Sequence, residues 1–236
     1  ILSEANKQFA KLDEQLLKTE PDEKVTVIIP ARNEEKTIQK VIKLVQKCNI
    51  VNQIIVVDNN SIDNTAKLAK ASGAFVVPCL SQGKGYAMEE GLKHSINDIV
   101  VYLDADISNY SKDLIAKLSE PIRDKKADFV KSMFDRKGGR VTELVAKPLL
   151  EILFPEIHKF SQPLSGMIAG RKSFLEQITF EKDYGVDIGI LLDMININAR
   201  IKEVHIGRIK NISQQWQSLE KMSKEVMRAI IKRANY

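Results

Sequence analysis

Apolar residues in this chain follow two rhythms that alternate along its length. Short continuous runs, Val25-Thr26-Val27-Ile28-Ile29, Ile54 to Val57, Ala74 to Val77 and Ile99 to Leu103, have the length and β-branched content of strands buried on both faces. Between them, apolar positions return at helical spacing, which predicts helices over about 34–48, 63–71 and 84–95. Gly73 closes the second of these. A leading helix over 3–18 sets Phe9, Leu12, Leu16 and Leu17 among charges, and Pro21 ends it. The second half is less regular. It predicts a strand over Asp128–Phe134, a flexible break at Gly138-Gly139, and a helix over Thr142–Phe154 that Pro148 kinks or restarts. A strand over Leu164–Ala169, a helix within Tyr184–Asn198, a strand over Ile201–Ile209 and a closing helix over Trp216–Ala234 complete the series.

Alternating strands and helices predict an α/β fold: a parallel, doubly wound sheet with right-handed crossovers, whose first half is a nucleotide-binding architecture. At 236 residues the chain suffices for one domain. Its parts are 22–110, 111–210 and a closing helical extension over 211–236.

Composition narrows the ligands. A net charge of +5 with 6% aromatics, and no stretch interleaving basic with aromatic residues, favours anionic small molecules over nucleic acid. Cys48 and Cys79 stand singly without metal spacing and read as reduced thiols of a cytoplasmic protein. No leader is visible, and the most apolar helical stretch, Val186 to Ile197, carries Asp187 and Asp193, so no integral membrane segment is expected. The closing helix, with Lys221, Lys224, Arg228, Lys232 and Arg233, leaves an opening for surface attachment.

Candidate chemistry collects where strands end, since ligands of open α/β sheets bind at the carboxyl edge. Asp104-Ala105-Asp106 follows an apolar run, and paired hard oxygens suit magnesium or manganese holding a diphosphate. Alone, the triplet reads equally well as a polar turn. Pro30-Ala31-Arg32-Asn33-Glu34-Glu35 and Asp58 through Thr65 follow the first two strands, and for each loop helix capping is the simpler account. Neither carries the glycine spacing of a dinucleotide fingerprint or P-loop, which argues against a dehydrogenase or an ATPase. Gln82-Gly83-Lys84-Gly85 opens a helix with a lysine that opposes the helix dipole unless an anion sits there, or unless it is a solvated turn lysine. Downstream, Gly139 leaves backbone amides accessible and Arg140 offers a planar fork for a carboxylate or phosphate. Thr142 is placed to cap a helix, and the plain alternative pairs Arg140 with Glu143.

In order, Val27 through Glu35, Val57 through Thr65, Gly83-Lys84-Gly85 and Asp104-Ala105-Asp106 resemble the motifs of GT-A-fold nucleotide-sugar glycosyltransferases. The stretches Gly138 through Leu150, Phe154-Pro155-Glu156, Gln162 through Gly166, Ala169-Gly170-Arg171 and Tyr184 through Gly189 are similar to the signature of glucosyl-3-phosphoglycerate synthases. The resemblance implies a mostly parallel GT-A sheet flanked by helices, and retaining transfer of glucose from UDP-glucose to the 2-hydroxyl of 3-phosphoglycerate or a related small acid. It implies that Pro30, Ala31, Arg32, Asn33, Glu34, Asp58, Asn59, Lys84, Asp104 and Ala105 bind the nucleotide sugar, with Tyr184 and Asp187 on the glucose. Gly139, Arg140, Val141, Thr142 and Ser213 would bind the acceptor; Asp106 and Asn211 would hold Mg2+ or Mn2+; and the Leu164 carbonyl would position the attacking hydroxyl. In such families the leaving phosphate itself takes the hydroxyl proton, so no protein nucleophile is required. Asn211 stands where the family carries histidine, Ser213 where it carries asparagine, and Met167 where relatives often carry glutamate. A homodimer is implied as well, and the apolar stretch Leu149 to Phe154 fits one. Two alternatives stay open: a family-2-type polyprenyl-phosphate transferase, and a catalytically silent nucleotide-sugar-binding protein.

Overall fold

The structure is a computed structural model that describes residues 23–107, 109–135, 139–155, 157, 159–209 and 216–234. The helix expected over 3–18 and the candidates Asn211 and Ser213 lie outside the described residues. The apolar runs become strands β1 (Val25–Ala31), β2 (Val51–Asp58), β3 (Phe75–Pro78), β4 (Ile99–Tyr102), β5 (Phe129–Met133), β6 (Ile168–Arg171) and β7 (Ile201–His205). They form one seven-stranded sheet in the order β3-β2-β1-β4-β6-β5-β7. Most neighbours are parallel, as expected, but β6 runs antiparallel to both β4 and β5. That reversal has a consequence for the site. It sets Ile168, at the start of β6, beside Tyr102 at the end of β4, so residues just before β6 arrive where Asp104 emerges.

Helices cover both faces because the central strands are apolar on both sides. On one face lie α1 (Ile38–Val45), α2 (Thr65–Ala71) and α4 (Leu114–Arg123), joined in one core with Val27, Ile29 and Val101. The other face carries α3 (Lys84–Lys93), α5 (Lys147–Leu153), the short α6 (Lys172–Leu175), α7 (Val186–Asn196) and the C-terminal α8 (Trp216–Arg233), packed with Ile28, Val100 and Tyr102. A mostly parallel sheet flanked by helices, with a helical C-terminal extension, is the GT-A arrangement.

Several elements depart from the sequence expectation. α1 begins at Ile38 rather than about residue 34; a turn closed by Thr37 N on the Glu34 carbonyl precedes it, and the Glu34 and Glu35 amides bond to Thr65 and Asp63. α4 has no counterpart among the expected elements; Pro121 and neighbouring charges mask a stripe of Leu114, Ile115, Leu118 and Ile122 that is buried at helical spacing. Thr142–Ala146 is a wide π-helical turn that runs into α5, where Pro148 takes an early position that needs no amide donor. β6 starts at Ile168 rather than Leu164, and β7 stops at His205.

α3 lies unusually close to the sheet, and one glycine permits it. A Cβ on Gly91 would stand 2.4 Å from Ile28 Cγ2 and 3.0 Å from Val57 Cγ2. Both contacts belong to stiff β-branched side chains on β1 and β2. Gly91→Ala should therefore destabilise the fold by about 1–2 kcal/mol, because overpacking outweighs the roughly 1 kcal/mol gained in helix propensity. A lower denaturant midpoint checks this; an unchanged or higher midpoint contradicts it.

Candidate active site

Register brings the loops together. Ala31 pairs with Asp58, and Ile28 with Tyr102, so β1, β2 and β4 finish at one edge. Pro30 and Ala31 end β1, Asp58 ends β2, and Asp104 lies two residues past β4. The first two loops are then laced by side chains acting on backbone. Asn33 N donates to Ser61 Oγ (3.0 Å) while Ile62 N donates to Asn33 Oδ1 (2.9 Å). Glu34 N donates to Thr65 Oγ1 (2.7 Å), Glu35 N to Asp63 Oδ2 (3.2 Å), and Asn64 N returns to Glu35 Oε2 (3.1 Å). Asn33 itself takes φ 58°, a left-handed conformation that asparagine tolerates. The polar residues expected to cap helices form a clasp between two loops, and Asp63 in addition serves its own helix by accepting from Thr65 N (2.9 Å). Arg32 stays outside it, exposed at the surface.

A third loop is clamped to the same edge. Asn59 Nδ2 donates to the carbonyls of Cys79 (3.3 Å) and Ser81 (2.7 Å), and Asn59 Oδ1 accepts from Gly83 N (2.8 Å). The Asn59 side chain thus spends its polar atoms on the loop that delivers Lys84 to the first position of α3. The flanking glycines answer to protein backbone: a Cβ at Gly83 would lie 2.0 Å from the Lys182 carbonyl oxygen, and one at Gly85 1.6 Å from that of Glu181. By admitting residues 181–182, they bring the start of α7 against the start of α3.

Asp187 is delivered by that approach. Lys84 Nζ donates to Asp104 Oδ1 (3.0 Å) and to Asp187 Oδ2 (2.8 Å), which ties the ends of α3, β4 and α7 into one ionic bridge. Gly166 lies directly against it, since a Cβ there would stand 2.4 Å from Lys84 Nζ and 2.5 Å from Asp104 Oδ1. Leu164 is half-buried in the same 162–167 segment. This segment is anchored by a short Ser132 Oγ to Ser165 Oγ contact of 2.6 Å. Tyr110 fixes the Asp104 backbone by donating its hydroxyl to the Asp104 carbonyl (2.9 Å). Tyr184 precedes α7, 40% exposed, with its amide donating to Glu225 Oε2 on α8 (3.2 Å).

Charge and burial make the cluster reactive to ligands. Burial alone would lower the Lys84 pKa, but the Asp104 and Asp187 carboxylates outweigh it and hold the ammonium well above its ordinary value. Asp187 is 2% exposed, and burial lifts its carboxyl above the usual range although Lys84 opposes the rise. Three carboxylate oxygens, Asp187 Oδ1, Asp58 Oδ1 and Glu23 Oε2, are buried with no hydrogen-bond partner among the described residues, and the first two lie at this edge of the sheet. Such orphans are costly in a finished fold and mark places prepared for a donor from outside. Burial also raises the Glu34 carboxyl; the hydrogen bond from Thr37 opposes this, and the charges of Asp106, Asp63 and Asp104 add to it.

That crowding bears on a metal. Glu34, Asp104 and Asp106 supply hard oxygen donors and a local excess of negative charge, the chemistry that Mg2+ or Mn2+ prefers. Among the described residues no three His, Cys, Asp or Glu side chains are gathered as a closed metal site. The donor types themselves fit a divalent ion.

The segment expected to meet an acceptor is partly different from its sequence reading. The helical turn begins at Arg140, with Glu143 N bonded to the Gly139 carbonyl (3.0 Å), so Thr142 is buried inside the turn rather than capping it. Glu143 pairs with Lys147 (2.7 Å), not with Arg140. The Arg140 guanidinium instead lies 4.7 Å above the Trp216 ring centroid at the start of α8. Val141 is buried in the same core as Val186 of α7. Sequence reasoning overlooked Lys131, Tyr110 and Ser132. The signal for Lys131 was a charged residue inside the strand pattern Phe129–Met133.

Comparison with known proteins agrees with this geometry. The model for "Glycosyl transferase family 2" matches residues 26–178. The glucosyl-3-phosphoglycerate synthase of Petrotoga mobilis is 34% identical over 244 residues, covering 92% of this chain and 75% of that protein. Two crystal structures of the Mycobacterium tuberculosis glucosyl-3-phosphoglycerate synthase are similar over 90% of this chain and 80% of theirs. The complex with phosphoglyceric acid has a TM-score of 0.86 at 36% identity. The complex with Mn2+, UDP-glucose and phosphoglyceric acid has a TM-score of 0.85 at 35% identity. On sequence and fold together, the chain belongs to glycosyl transferase family 2 and, within it, to the glucosyl-3-phosphoglycerate synthases.

Proposed function

We propose that this protein transfers glucose from UDP-glucose to the 2-hydroxyl of 3-phosphoglycerate or a closely related small acid, with retention at the anomeric carbon. The observation that carries the reading is the Lys84 bridge between Asp104 and Asp187, with Asp187 Oδ1 buried and unpartnered beside it. A cation at a diphosphate and an acceptor at a sugar hydroxyl are what departure of a nucleoside diphosphate demands. The anomeric C–O bond breaks with its electron pair leaving on the diphosphate, the acceptor oxygen bonds to the same carbon, and the hydroxyl proton passes to the departing phosphate. Lys84 disperses the gathering charge. Asp187 accepts from glucose hydroxyls, with Tyr184 alongside, and the Leu164 carbonyl orients the acceptor hydroxyl. A divalent ion, Mg2+ or Mn2+, when bound supplies further neutralisation of the diphosphate, with Asp106 and Asn211 as its holders.

The remaining loops divide the substrate between them. Pro30, Ala31, Arg32, Asn33 and Glu34 with Asp58 form the nucleoside end, and Asn59 contributes by fixing the loop ahead of Lys84. Gly139, Arg140, Val141, Thr142 and Ser213 form the acceptor end. Arg140, stacked on Trp216, keeps its edge donors for a carboxylate or phosphate. Homodimerisation and a cytoplasmic location belong to the same reading. Leu144 (72% exposed) and Ile152 (73%) support an apolar contact face, while Leu150 is buried and Leu149, Leu153 and Phe154 pack against the core. No described helix is long and apolar enough to cross a membrane.

Mixing the protein with UDP-glucose, Mg2+ and 3-phosphoglycerate should release UDP and form the glucosylated acid, and Asp106→Ala should cut the rate by at least about 100-fold. UDP-glucose binding by calorimetry without turnover on any small acid contradicts transfer and favours a silent binding protein. The orphan oxygen of Asp58 makes a separate prediction about the base. Uracil carries a ring N–H able to donate to it and cytosine does not. Asp58→Ala should raise the UDP dissociation constant about ten-fold or more while leaving CDP binding nearly unchanged, a loss of one hydrogen bond to a charged group. Equal weakening of both nucleotides contradicts this assignment.

A further inference from the structure

Lys131 is the one charged side chain on β5 that the reaction scheme above does not use. It is fully buried at 0% exposure, in the middle of the strand, with Glu203 opposite it on β7. Its ammonium donates to the backbone carbonyl of Asp187 at 2.8 Å, in the first turn of α7. Lysines are almost never fully buried unless something specific holds them there, and burying an ammonium is costly compared with an apolar side chain of similar length. A methionine or leucine would fill the same space on β5 without that cost. The charge is therefore explained by what it touches, and what it touches is the peptide unit of the sugar-facing carboxylate.

We propose that Lys131 is a positioning residue for the donor sugar: by holding the Asp187 carbonyl it fixes the first turn of α7, so that Asp187 keeps Oδ2 on Lys84 and presents Oδ1 to glucose. The inference rests on the assignment of Asp187 to the sugar in the proposed function. β5 supports the site twice over. Lys131 steadies Asp187, and the next residue, Ser132, steadies Ser165 between Leu164 and Gly166. One strand thus sets the distance between the sugar-holding carboxylate and the segment that orients the acceptor. The groups facing the Lys131 ammonium are the Asp187, Asp104 and Glu203 carboxylates and the Lys84 ammonium. Burial pushes its pKa down to about 8, with Lys84 adding to the fall and the carboxylates opposing it. Near neutral pH the ammonium is retained, and its hydrogen bond to the carbonyl is charge-assisted.

The test compares Lys131→Met with Asp187→Asn, measuring UDP affinity, UDP-glucose affinity and kcat for glucosyl transfer. Lys131→Met is expected to fold and to bind UDP as tightly as the unaltered protein, because UDP lacks the glucosyl group that Asp187 holds. Its kcat should fall by about 100-fold, the scale of a misplaced reacting group, and its preference for UDP-glucose over UDP-galactose should shrink. Asp187→Asn should show the same pattern more strongly. If Asp187→Asn behaves this way and Lys131→Met keeps both kcat and sugar preference, the positioning role is overturned while the reading of Asp187 stands. If neither variant changes sugar preference, the assignment of Asp187 itself fails. Parallel loss of UDP affinity and kcat in Lys131→Met marks a merely structural lysine and overturns the proposal. Should Lys131→Met not fold, Lys131→Leu, which likewise lacks a donor, serves in its place: lowered kcat at unchanged UDP affinity supports the role, and kcat equal to the unaltered protein overturns it.

Discussion

The bridge from Lys84 to Asp104 and Asp187 is the constraint on which the rest of the site depends. Three elements distant in sequence end on one ammonium: α3 brings the lysine, β4 the first aspartate and α7 the second. Held between two carboxylates with its side chain 18% exposed, Lys84 is locked in position and firmly protonated. Pre-organised charge of this kind needs no rearrangement when a diphosphate arrives, which is where electrostatic catalysis gains most.

Much of the surrounding architecture reads as provision for that bridge. Gly83 and Gly85 admit the 181–182 backbone, Gly166 leaves room for the ammonium and carboxylate, and Gly91 lets α3 settle onto β1 and β2. Each glycine marks a close approach that a single methyl group would forbid. The reversed direction of β6 serves the same end, because it turns the 162–167 segment back to the edge where Asp104 emerges. Lys131 and Ser132 then brace the two sides of the cluster from beneath.

Much of this was legible in the sequence. The apolar runs announced every strand of the parallel half, and the family resemblance named Lys84, Asp104 and Asp187 from separate motifs, which the structure brings onto one ammonium. Other features were hidden for physical reasons. The antiparallel course of β6 leaves no mark on a short buried run, since Ile168–Arg171 would look alike in either direction. α4 was missed because Pro121 and scattered charges obscured its buried stripe. The polar residues 33–35 and 61–65 suggested two separate helix caps; Asp63 does bond to Thr65 N, but five further bonds run between the loops, a pairing no local pattern reveals. Lys131 looked like an ordinary strand residue, because only the tertiary fold shows which buried carbonyl its ammonium meets.

In this account Lys84 and Asp187 act as a unit, so that removing either one disables what the other was holding. The direct measurement is a double-mutant cycle in kcat/KM for glucosyl transfer from UDP-glucose, built from Lys84→Met, Asp187→Asn and the double variant. The account predicts strong non-additivity, a coupling of about 2 kcal/mol in transition-state stabilisation. Additive losses, within roughly 0.5 kcal/mol, would contradict it.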